Sequence, residues 1–184
     1  MRSKLIPAAL AVVALGSIAF VNRPASATTA PQSAAPALAE PGVIAIFDLA
    51  NTADIETGSL AASRSTDKDV KEFGKMLADV HTQVRQKGRD LAKKLGVTPA
   101  MPAGNTMAAD HAAAMAKLKG LKGAAFNKAF LEHEQAYHAA VLDAVKTTLL
   151  PAIKNQELKD FVTSLAPAFE AHRQAAANLL AKQK

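Results

Sequence analysis

From Gly42 onward the chain repeats its apolar positions every three or four residues, in four long stretches. That spacing lines one side of an α-helix. The first stretch, about Val43–Arg64, carries Ile46, Leu49, Ala53 and Leu60, with Glu56 on the same line. The second, Asp67–Leu95, runs Val70, Phe73, Leu77, Val84, Leu91 and Leu95, with His81 and Gly88 filling places in the series. The third, Phe126–Thr148, carries Phe126, Phe130, Tyr137, Val141 and Val145. Glu134 lies on that line and His138 beside it, one helical turn further on. The fourth, about Gln156–Ala181, presents Leu158, Val162, Leu165, Phe169, Ala176 and Leu179, and His172 takes one place.

The breaks between these stretches agree with their boundaries. Ser65-Thr66-Asp67 separates the first two, with Ser65 or Thr66 as the cap of the second. Gly96 is the expected C-cap of the second, and Pro99 prevents its resumption. The third stops at Leu149-Leu150-Pro151, and Asn155 caps the fourth. Pro167 predicts a kink or a short break within it. Gly58 weakens the first helix locally but permits close approach of a neighbour. Between Val97 and Gly123 the pattern lapses, apart from a short amphipathic helix over Met107–Leu118; the length suits a crossover between two helical hairpins. No stretch alternates as a strand would. The chain therefore predicts an all-α domain, a four-helix bundle over residues 43–182.

Composition changes the picture mainly at the N-terminus. Arg2 and Lys4 precede an apolar run, Leu5–Val21, and Ala25-Ser26-Ala27 follows as a small-residue cleavage pattern. Residues 1–27 are thus expected to be a secretory signal peptide cut after Ala27, placing the protein in the periplasm or outside the cell with no stable membrane anchor. Residues 28–42, rich in Ala, Pro, Ser and Thr, read as a flexible tether. Cleavage would remove Arg2, Lys4 and Arg23 and no acid, halving the formal charge of +6. The remaining cations alternate with acids, as in Asp67-Lys68-Asp69-Val70-Lys71-Glu72, and no aromatics are interleaved with them. A nucleic-acid partner is not expected. Cysteine is absent, which excludes disulfides, thiolate metal sites, cysteine nucleophiles and a lipid anchor on cysteine.

Each long helix thus has a potential ligand on its apolar face: Glu56, His81, Glu134 with His138, and His172. Burying an unpaired carboxylate or imidazole costs several kcal/mol, so these groups must meet each other, water or a metal. Counting from the turn near Ile153 puts Glu134 and His172 at one height. Counting from Thr66 leaves Glu56 and His81 mismatched by roughly 7.5 Å at 1.5 Å per residue. The three histidines and Glu134 are accordingly the safer group, with Glu56 as a further candidate. Imidazole and carboxylate ligands suit zinc, copper, iron or nickel; the alternative is a structural polar network. Asp54 and Asp79 are expected to be exposed, as is His111, and His133 to lie on the outer flank. No serine has an evident base, and neither a nucleophile elbow nor a phosphate loop is present, so no catalytic residue is assigned.

Several motifs together resemble a known family. Ala53-Asp54-Ile55-Glu56-Thr57-Gly58-Ser59-Leu60-Ala61 is similar to its first-helix motif, and Val70-Lys71-Glu72-Phe73-Gly74-Lys75-Met76 through His81 to its second. Phe126, Phe130 and His138 followed by Leu150-Pro151 resemble the third, and Leu165-Ala166-Pro167-Ala168-Phe169-Glu170-Ala171-His172 the fourth. The family is domain-of-unknown-function family 4142, and the resemblance covers roughly Ile44–Leu180. It departs at Val80, where the family usually has Asp, and at Asn127, where Asp is common. The resemblance implies an exported bacterial protein with a ferritin-like bundle and brings no agreed activity. Di-iron chemistry is not expected, because the Glu-x-x-His pattern is missing: Ala78 and Phe169 stand three residues before His81 and His172. The leading expectation is a non-catalytic envelope or stress-related binding protein, meeting an envelope partner or a second copy of itself. The alternative is a metal-binding bundle using His81, His138, His172 and a Glu, with redox chemistry open to it. A third reading is a pH sensor.

Overall fold

The computed structural model describes residues 38–183, and helix is the only regular structure among them. The expected signal segment, and the tether up to residue 37, lie outside the described residues. Helix α1 spans Glu40–Arg64, beginning a turn before Val43. Pro41 lies in its first turn, where a missing N–H is no loss. Helix α2 spans Lys68–Leu95. Its cap is Asp67 rather than Ser65 or Thr66, with the carboxylate accepting from the Val70 N–H at 3.1 Å. Gly96 closes α2 at φ 68°, a left-handed conformation that favours glycine. Helix α3 is Met107–Gly120, and α4 is Gly123–Ala144. Asn155 caps α5, Gln156–Leu180, by accepting from the Leu158 N–H at 3.1 Å.

Two features depart from the expected helix ends. Helix α4 continues through a π-helical turn, Val145–Leu149, into a last turn at Leu150–Ala152. Pro151 has no N–H for the Thr147 carbonyl and its ring presses on it; the wider turn takes up that misfit. Pro167 does not break α5. Thr163, whose carbonyl loses its partner, and Pro167 are both on the exposed side, where water can satisfy it.

Helices α1 and α2 form one antiparallel pair, α4 and α5 another. The first pair crosses closely. A Cβ on Gly58 would stand 2.6 Å from the Gly74 carbonyl oxygen, and one on Gly74 would stand 2.7 Å from that of Gly58. Only glycine lets the backbones approach so near. Asp48 of α1 accepts from Arg85 at 3.1 Å and from both Arg85 and Arg89 through its second oxygen, at 3.2 and 3.0 Å. Burial works against the charged Asp48, and the two guanidiniums outweigh it, holding the carboxyl below its ordinary value. Further contacts tie the pairs together. Glu40 accepts from the Lys154 N–H at 2.8 Å, and Arg64 donates to the Lys119 carbonyl at 2.6 Å, closing the end of α3.

The apolar core is divided. One cluster contains Phe73, Leu77, Leu118, Phe126, Phe130 and Ala176; the other contains Val43, Ala92, Val145, Leu149, Leu158 and Val162. The buried polar side chains His81, Glu134, His138 and His172 stand at sequence positions between them on α2, α4 and α5. No helix among the described residues is long and apolar enough to cross a membrane.

Candidate metal centre

Helices α1, α2, α4 and α5 each deliver at least one polar side chain to this layer. His81 is 1% exposed, His138 1%, Glu134 0% and His172 7%. All four were expected on core faces, and the fold brings them together. His81 Nε2 lies 3.3 Å from His172 Nδ1. The rings of His81 and His138 are 5.7 Å apart at 68°, and those of His138 and His172 are 5.3 Å apart at 85°. The third pair, His81 and His172, is tilted, 5.2 Å apart at 58°, so the three rings are mutual neighbours.

Glu56, the fifth candidate, is elsewhere. It is exposed and pairs with His111 Nε2 at 2.8 Å. His111 is correspondingly tucked in rather than open to solvent, with its side chain 13% exposed. The carboxylate that α1 does supply is Asp54, expected to be exposed and in fact 4% exposed. The reason is the direction of α1. Its inward side runs Val43, Phe47, Asn51, Asp54, Thr57 and Ala61, rotated by one residue from the Ile46–Leu49–Ala53–Leu60 line. Asp54 Oδ2 lies 3.4 Å from His81 Nδ1, and Asp54 Oδ1 lies 3.8 Å from His138 Nε2. Asp79 is exposed, as expected. His133 is partly covered and stacks on Tyr137 at 5.6 Å.

Hydrogen bonds orient two of the histidines. Asn51 donates its amide to the Phe47 carbonyl at 2.8 Å, which turns its oxygen toward His81 Nδ1, 3.0 Å away. His81 therefore carries its proton on Nδ1 and a lone pair on Nε2. His138 Nδ1 donates to the Glu134 carbonyl at 3.0 Å, leaving its own Nε2 lone pair unpartnered. Fixing the outer nitrogen so that the inner one is a free donor is how proteins prepare imidazole ligands.

The oxygens complete the set. Asp54 Oδ1 and both Glu134 oxygens are buried without a hydrogen-bond partner. Two groups have ligand atoms within 4.8 Å of one another: His81, His138 and His172; and Asp54, Glu134 and His138. His138 belongs to both. Metal–nitrogen bonds of about 2.0–2.1 Å in a tetrahedral site separate the nitrogens by about 3.3–3.4 Å, and the His81–His172 spacing of 3.3 Å matches.

The family described as Domain of unknown function (DUF4142) matches residues 25–179. The chain belongs to the DUF4142 family. No curated protein and no solved structure matches it. In this DUF4142 chain the centre is kept close to neutral by its surroundings. Burial pushes Glu134 up to about 7, and burial together with the facing Glu134 raises Asp54 well above its ordinary range. Two carboxylates so close and so dry cannot both ionise. Burial, then the neighbouring His138 and His172, lowers His81 to about 3. Burial is also the main cause for His138, lowered to about 4, and the cause for His172, lowered too. At neutral pH the three imidazoles are uncharged, as a cation requires. The His138 Nε2 lone pair is free, while His81 Nε2 accepts from His172 Nδ1 at 3.3 Å, a contact that an ion between them would replace.

Proposed function

We propose that this protein is a metal-binding helical domain that holds one divalent transition ion through His81, His138 and His172, with Glu134 or Asp54 as the oxygen ligand. The observation that carries this reading is the convergence of buried ligand atoms from four helices: His81, His138 and His172 form one group, and Asp54, Glu134 and His138 another, each with its ligand atoms within 4.8 Å of one another. Mixed imidazole and carboxylate donors favour zinc, with iron or copper next. The helix pairing and the crossover through α3 support a ferritin-like four-helix bundle, although this donor set differs from the paired Glu-x-x-His of di-iron bundles. The basic start, apolar run and small residues before Thr28 support export.

The test is elemental analysis of the mature protein, purified without chelator or affinity-tag metal. Near-stoichiometric metal is expected, lost in both His138→Ala and His172→Ala. No metal after incubation with zinc, copper and iron would leave the layer as structural and send the search to protein partners.

A further inference from the structure

Beside the polar layer, between α1 and α4, lies a cavity of about 240 Å³. Its walls are apolar: Ile46 from α1, Val141 and Leu149 from the far end of α4, and Phe169 from α5. Its polar lining is Asn51, Asp54 and His81, which stand together at 3.0 and 3.4 Å, and Tyr137, whose hydroxyl donates to the Ala50 carbonyl at 3.3 Å. Ala140 also lines it and is exposed, so the cavity reaches the surface there. The π turn contributes Val145 and Leu149 to the same wall. Such turns cluster at functional sites because they reshape a helix locally. A long apolar cavity with convergent polar groups at one end is the usual form of a small-molecule site.

The contents can be narrowed by size and charge. With about 30 Å³ for a water-sized group, 240 Å³ holds on the order of eight heavy atoms. No cationic side chain lines the cavity, so an anionic head would be buried without a counter-charge. A hydroxyl can both donate to and accept from the polar end. We infer that the cavity is a binding site for a small unbranched aliphatic alcohol, or a close neutral analogue, with its tail along α4 and its hydroxyl at Asn51 and Asp54. The inference adds to the metal-binding reading and does not depend on it.

Calorimetric titration of the mature protein with 1-heptanol, metal-free and zinc-treated, tests it. Saturable one-to-one binding is expected, with heptanoate weaker by at least about ten-fold because its charge must be buried. Ala50→Leu and Ala144→Leu, which fill the cavity from opposite walls, should each weaken heptanol binding by at least about ten-fold while metal content stays as in the wild type. Should either variant lose cooperative melting, the comparison of heptanol with heptanoate in the wild type decides. No saturable uptake of heptanol, binding of heptanoate as tight as that of heptanol, or unchanged binding in both folded variants would overturn the inference. Heptanol binding by a protein that takes up no metal leaves this inference standing and removes the metal reading; metal uptake without heptanol binding does the reverse.

Discussion

The Glu134 carboxyl, fully buried and raised to about 7, makes the stability of the fold depend on pH. Between its ordinary 4.5 and 7 the folded protein keeps a proton that the unfolded chain has lost, so stability falls as pH rises through that window. The histidines act in the opposite sense. With His81 at about 3 and His138 at about 4, against an ordinary 6.5, the unfolded chain binds protons that the folded protein refuses, and stability falls as pH drops below 6.5. Below 4.5 the carboxyls no longer offset this and the loss steepens. Metal-free protein should therefore be most stable at about pH 6.5 by thermal or urea denaturation. Glu134→Gln removes the carboxyl's share. Above pH 7 it should stabilise the metal-free protein by on the order of 3 kcal/mol, and below pH 4.5 by little, while weakening metal binding. A variant less stable than the wild type at high pH would count against the buried, protonated Glu134. At this scale much of the site was legible: His81, Glu134, His138 and His172 interrupt strong apolar series, and only pairing makes such interruptions tolerable. Asn51 was not singled out, because an amide on a helix carries no signal by type. Its position did carry one, since Asn51 and His81 are equally far from Thr66.

Among the elements, α2 and α1 show why a pattern is readable in one helix and not in another. Helix α2 has charged residues on every side but one, so Val70, Phe73, Leu77, His81 and Gly88 could only face inward, and they do. Helix α1 is apolar around most of its circumference, as α2 packs on one flank and α3 and α4 touch others. Nothing in its composition marks which line faces the centre, and that ambiguity exchanged Glu56 for Asp54. The π turn was equally hidden, since Pro151 signals an end and not the way the helix reaches it. The expected closeness at Gly58 is met, with Gly74 as its counterpart. Gly58→Ala and Gly74→Ala should each destabilise by about 1–2 kcal/mol, read from denaturation midpoints. Overpacking against backbone outweighs the roughly 1 kcal/mol that alanine gains in helix propensity. A gain in stability would mean that the helices separate freely there.

For the whole molecule, the expected export yields a direct check. Protein recovered from the periplasmic fraction should begin at Thr28 on N-terminal sequencing; retention of Met1 would remove that reading. The all-helical class was legible throughout, because the 3.6-residue pattern persists over every long stretch. The division of the apolar core into two clusters, separated by the polar layer, has a consequence for how the molecule opens. Each cluster coheres by its own apolar contacts, while the layer between is joined mainly through polar rings, His81 and His138 packed on Phe169 at 5.8 and 6.3 Å. Such an arrangement favours two partly independent cooperative units. Amide hydrogen exchange should then divide into two classes, one around Phe73, Phe126 and Phe130, the other around Val43, Leu149 and Val162, with different opening free energies. An ion that ties α1, α2, α4 and α5 at the boundary would couple the halves, and the two exchange classes should merge on its addition. A single class in the metal-free protein would show that helix continuity alone already makes the halves one unit.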